Sequence, residues 1–174
     1  MKRCQHGFTL IEITAVLVLM AIISAYVIGR SIATEQIDLA GQTDRIRTQI
    51  RYAQSTAMKR SDIDEIWGIK FDPGTDQYWL FFASIPVDPG EPDLADQQVT
   101  FPGEQNKKVS AADFGVDINP LVPSVLFFDR LGKPYKQYVD TTDNDELDAP
   151  LTITLSASGQ NRTIRVIPET GLVQ

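Results

Sequence analysis

The sequence predicts an α+β fold: one long N-terminal helix packed on an antiparallel β-sheet. Three observations carry this. No proline interrupts the chain up to Lys59, and apolar residues recur there at helical spacing. Beyond Ser61 the pattern changes to short aromatic and β-branched runs. Those runs are joined by turns rich in Pro, Gly, Asn and Ser, which place neighbouring strands antiparallel.

The helix reads in two halves. From Phe8 to Gly29 there are 22 residues, and Glu12 is the only charged one. At about 1.5 Å per residue this segment spans roughly 33 Å, enough for a hydrocarbon core. Lys2 and Arg3 precede it and Arg30 follows it, a bias that favours a cytoplasmic N-terminus. A carboxylate deep in a bilayer costs about 2.5–3.5 kcal/mol, so Glu12 calls for a partner and a purpose. In the second half Ile32, Leu39, Ile46 and Ala53 recur every seven residues, and Ile50 and Ala57 fill the same face. Polar side chains from Glu35 to Gln49 occupy the opposite face. The expectation is a single helix from Thr9 to Lys59, roughly 75 Å long, whose amphipathic half packs on the sheet.

Trp67–Phe71 and Tyr78–Phe82 flank a Pro-Gly turn and predict a β-hairpin. Trp67, Ile69 and Phe71 alternate, so one face of the first strand is expected in the core. Rings this dense serve either as core or as a stacking platform, and a small domain needs them inside. Residues 85–123 hold six prolines and predict a long, mostly irregular insertion with a short strand at Gln98–Phe101. Ser124–Asp129 predicts a strand, and Arg130–Pro134 a turn. Leu151–Leu155 and Thr163–Ile167 alternate across the Ser158–Asn161 turn as a second hairpin. Asp140, Asp143, Asp145, Glu146 and Asp148 crowd nine residues. They have the ligand type for calcium but lack the EF-hand spacing and glycine, and a solvated acidic loop is the simpler expectation.

The start of the chain resembles a known family. Gly7-Phe8-Thr9-Leu10-Ile11-Glu12, followed by the uninterrupted apolar run, is similar to the processing and assembly motif of type IV pilins and type II secretion pseudopilins. Ile46–Met58, the Phe128–Pro134 turn and the C-terminal hairpin ending in Thr170-Gly171 resemble the GspH/FimT-type minor pseudopilins and pilins. The resemblance implies cleavage between Gly7 and Phe8 by a prepilin peptidase and N-methylation of Phe8. It implies that Glu12 pairs with the amine of a neighbouring subunit's first residue. The chain then divides into a leader (1–7), a transmembrane and filament-core helix (8–29), an amphipathic helix (30–60) and a β-rich domain (61–174). The implied partners are the peptidase, other pilins or pseudopilins, an inner-membrane assembly platform and, before assembly, the lipid bilayer. The implied place is the bacterial inner membrane, single pass, with a periplasmic domain that later enters a filament. One departure is Gly29, where many relatives carry proline.

Processing sharpens what composition excludes. Loss of Lys2 and Arg3 would leave 14 basic residues against 23 acidic ones, a net charge of −9 in place of −7. That balance gives no support to nucleic-acid binding, which needs clustered cations. Cys4 and His6, the only cysteine and histidine, leave with the leader. The mature chain then has no disulfide, thiolate nucleophile, imidazole base or His/Cys metal site. No cofactor motif is present, and the expected role is structural rather than enzymatic: a minor pseudopilin of a type II secretion pseudopilus, or alternatively a minor pilin serving adhesion, motility or DNA uptake.

Overall fold

The computed structural model describes residues 10–60, 64–88, 90–140 and 142–174, with the side chains of 27–37 left aside. Helix α1 runs from Leu10 to Lys59 without a break, across Gly29. Glycine retains the backbone N–H that proline would remove, so the hydrogen-bond ladder continues. The predicted stripe is the buried one: Leu39, Ile46, Ile50, Ala53 and Ala57 all enter the core. Ile32 lies outside the described side chains.

Ten strands follow. Strands β1 (Glu65–Asp72) and β2 (Gln77–Ser84) form the predicted hairpin, in register from Glu65↔Ser84 to Asp72↔Gln77. Its turn is fixed by Asp72, whose carboxylate accepts from the Gly74 N–H and the Thr75 hydroxyl. Strands β3 (Gln98–Val99) and β4 (Lys108–Ser110) pair successively along the outer edge of β2. Beyond β1 come β6 (Val125–Phe128), β7 (Pro134–Tyr138) and β8 (Asn144–Glu146), completing a seven-stranded antiparallel sheet. A second sheet of three strands has the order β10 (Gln160–Val166), β9 (Leu151–Ala157), β5 (Asp117–Ile118). The β9–β10 turn is Ser158-Gly159, both at positive φ, the two-residue geometry whose twist suits a hairpin. Helix α1 packs on β1 and β6 of the larger sheet and on β9 and β10 of the smaller one.

The fold is therefore α+β and antiparallel, as expected, but differs in three ways from the sequence-based picture. The sheet is divided in two. Both faces of the first hairpin are buried, not one: Trp67, Ile69 and Phe71 face α1, while Ile66, Trp79, Phe81 and Ala83 form a second cluster with Val87, Phe127, Tyr135 and Tyr138. Gly68 sits where β1 is squeezed between neighbours, because a Cβ there would lie 2.7 Å from the Leu126 carbonyl oxygen. The third difference lies in 85–123, whose Phe101, Val109, Ala111, Val116 and Ile118 are all core residues. Its first part crosses the outer face of the larger sheet, where the Trp79 indole N–H donates to the Pro92 carbonyl at 2.6 Å. Its second part is held by Asp76, which accepts from the Ala111 and Ile118 N–H groups.

Candidate functional site

The N-terminal shaft is the first candidate. Glu12 stands in the first turn of α1 as described, where a carboxylate complements the positive end of the helix dipole. Leu10, Ile11, Leu17, Met20 and Tyr26 are each more than 60 % exposed. A helix so apolar all round is covered in its working state, by lipid or by other helices. Among the described residues no helix is long and apolar enough to cross a membrane. The exposed run that is described, Leu10–Tyr26, is a part of the expected 8–29 segment. Gly7, Phe8 and the bond between them lie outside the described residues.

The acidic loop resolves into separate contacts. Asp140 accepts from the Thr142 N–H and hydroxyl and from the Asp143 N–H. Those bonds, the Thr142 hydroxyl first, hold its carboxyl below the usual carboxylate range. Asp145 and Asp148 both face Lys136, at 3.4 and 2.7 Å, and Glu146 faces Lys133 at 2.5 Å. The acids thus point to different cations instead of one centre. Among the described residues no group of three or more such side chains is placed to hold a metal ion. The aromatic hairpin offers no stacking platform either, since Trp67, Tyr78, Trp79 and Phe81 are at most 4 % exposed.

Two constellations escaped sequence reasoning. The first is a polar bridge between α1 and residues 101–114. Arg45 forks onto both oxygens of Glu104, Gln49 donates to the same carboxylate at 2.8 Å, and the Tyr78 hydroxyl donates to the Gln49 carbonyl at 2.5 Å. Arg45 also lies over the Phe114 ring, 5.2 Å from its centroid. Glu104 raises the Arg45 guanidinium still further, chiefly by direct hydrogen bonding. Burial pushes the Tyr78 phenol well above its ordinary value.

The second is Gln54. Its amide donates to the carbonyls of Gly132 and Thr170, both at 2.9 Å. Gly132 and Gly171 have φ of 79° and 63°, and a Cβ on Gly171 would lie 2.5 Å from the Gly132 oxygen. The turn at 129–132 is closed by Asp129, which accepts from the Leu131 and Lys133 N–H groups. The helix end, the Phe128–Pro134 turn and Thr170-Gly171 are the three fragments that carry the family resemblance beyond the leader. The fold brings them to one glutamine.

Residues 2–28 match the model of the prokaryotic N-terminal methylation motif. In this chain that motif leads a long helix laid on antiparallel sheet. Among solved structures it is similar to the minor pseudopilin EpsH of the Vibrio cholerae type 2 secretion system, at 14 % identity and a TM-score of 0.48. That alignment covers 79 % of this chain and 94 % of the other. It is similar to the same degree to the type IV minor pilin FimU of Pseudomonas aeruginosa, again at 14 % identity and a TM-score of 0.48, over 81 % of this chain and 90 % of that one. No curated protein sequence matches.

Proposed function

We propose that this chain is a minor pseudopilin, a structural subunit that enters the pseudopilus of a type II secretion system after its leader is removed. The observation that carries the reading is the methylation motif over residues 2–28 with Glu12 inside the apolar helix. Cleavage between Gly7 and Phe8 frees an amine, and methylation of Phe8 keeps that amine cationic. In the growing filament Glu12 of one subunit neutralises the terminal amine of its neighbour. In the low dielectric of packed apolar helices such a pair is stable only with both charges present. The bilayer holds the shaft until neighbouring helices replace it. Loss of Cys4 with the leader leaves no disulfide to form, which supports a pseudopilus over a major pilus. A minor pilin of a type IV pilus uses the same leader and the same acid, and is the alternative. The role in either case is architectural, with no catalytic step.

The test is the intact mass of the full chain expressed with and without its prepilin peptidase. Loss of Met1–Gly7 together with the gain of one methyl group is expected only with the peptidase. An unprocessed chain in both cases would overturn the reading. Restoration of secretion or of piliation in the matching deletion strain then separates the two systems.

A further inference from the structure

We propose that the outer edge of β10, beside the Leu39 end of the domain, receives an extended, carboxylate-bearing peptide segment as an added strand. The β9–β10 hairpin turns over two residues, so Ala157 and Gln160 form a hydrogen-bonded pair. Backbone groups alternate between strand edges with period two. Arg162, Ile164 and Val166 therefore also bond β9, while Asn161, Thr163 and Arg165 turn their N–H and C=O groups outward. Arg165 agrees, exchanging both its bonds with Gln174 at 3.0 and 2.9 Å. The segment Leu172–Gln174 thus covers the edge at Arg165–Ile167. Among the described residues none bonds the main chain of Asn161 or Thr163, and both residues are exposed. Two donors and two acceptors on a strand edge are a template for another strand.

The space beside this edge and its charge select the guest. A groove of about 350 Å³ is lined by Leu39 of α1 and by Gln160, Asn161 and Arg162. Its one charged lining residue is the arginine; Asp38, beside Leu39 in sequence, is not part of the lining. Arg165 follows on the same strand, and Arg51 of α1 donates to the Val173 carbonyl at 2.6 Å, next to Val166. Among the described residues none of Arg51, Arg162 and Arg165 forms a salt bridge, whereas Arg47 is engaged by Asp44. Three guanidinium groups without an acid flank this open backbone, in a chain whose net charge is −7. Such groups favour carboxylates, which they bind with charge-assisted hydrogen bonds. A second copy of the chain is the wrong guest, because β10 laid on β10 would set the arginines of both copies together. Two open residues make a short contact, suited to a weak and exchangeable partner.

The test uses the full-length, isotope-labelled protein in detergent micelles. It is titrated with synthetic peptides about six residues long, one alternating Glu and Val, the other Lys and Val. The Glu/Val peptide is expected to shift the Asn161 and Thr163 amide resonances and slow their hydrogen exchange, and the Lys/Val peptide to do neither. The Glu/Val peptide with every amide N-methylated has no donor to give and should not bind. Replacing Arg162→Gln and Arg165→Gln together should weaken binding about tenfold, and Thr163→Ala should leave it intact, since the contact is made by the main chain. Equal binding of the Glu/Val and Lys/Val peptides, a response centred away from β10, or full binding of the N-methylated peptide would overturn the proposal. Unchanged affinity in the double arginine variant would do the same. Protection of Asn161 and Thr163 that grows with protein concentration alone would overturn it in favour of a second copy of the chain.

Discussion

Tyr78 shows how a single side chain links the sheet to the helix and sets a limit on stability. Its hydroxyl donates to Gln49, its ring stacks on Phe71 at 5.9 Å, and it has no exposed surface. Ionising it would place a phenolate in the core beside the Glu104 carboxylate. Burial, more than that charge, raises its pKa above the ordinary 10. Tyr135 follows the same course, pushed up to about 12 by burial first and then by Asp129. A group whose folded pKa is raised gives its full stabilisation below its unfolded value and loses it as pH climbs towards the folded one. Stability should therefore be level through neutral pH with respect to these groups and fall above about pH 10. Tyr78→Phe should cost about 1 kcal/mol at pH 8 through the lost hydrogen bond, yet lose less on going to pH 11. Urea midpoints of the two proteins at both pH values check this. An equal alkaline loss in Tyr78→Phe would remove Tyr78 as its source.

At the level of elements, the helix and the two hairpins were legible in the sequence because each carries a period. Leu39, Ile46, Ile50, Ala53 and Ala57 mark a heptad stripe, and Leu151, Ile153 and Leu155 alternate across a two-residue turn. Residues 85–123 carry no period, so nothing in their composition announces that Phe101, Val109 and Ile118 are core. Burial of the hairpin's outer face was hidden for the same reason, since the cover comes from that aperiodic chain. Gln54 is the clearest case of what pattern cannot show. It looks like one more polar residue on a solvated helix face, and its two acceptors lie 78 and 116 residues away in sequence. Gln54→Ala should therefore do more than a surface change. Two hydrogen bonds are lost, and the predicted cost is about 1–2 kcal/mol, a fall in Tm of roughly 5–10 °C for a domain near 115 residues. Hydrogen exchange should quicken together at 130–133 and 169–172, because one side chain holds both turns. Faster exchange in one turn only would mean that the other is held independently.

At the scale of the whole molecule, the chain joins a compact α+β domain to a helix half of which is apolar on every side. The domain does not need that half: its core begins at Leu39, and no described residue before it is buried. The shaft is built for other surroundings, and Glu12 is the only charge placed within it. A carboxylate in an apolar shaft is a cost unless an opposite charge meets it, and the assembly reading supplies one in the neighbour's methylated amine. The proposed role therefore predicts a separation of effects. Glu12→Ala lies beyond the Gly7–Phe8 bond, so the mass of the mature chain should match processed wild type apart from the substitution. Fold and thermal stability of the domain should not change, because Glu12 is far from the core. Incorporation into filaments should fall roughly 10- to 100-fold, the weight of a lost charge-assisted pair of about 1.5–3 kcal/mol. Quantifying the processed chain in sheared filaments against that in membranes measures this ratio directly. Processed Glu12→Ala found in filaments at the wild-type ratio would show that apolar packing alone recruits the subunit, and the charge would have to be explained by insertion or release instead.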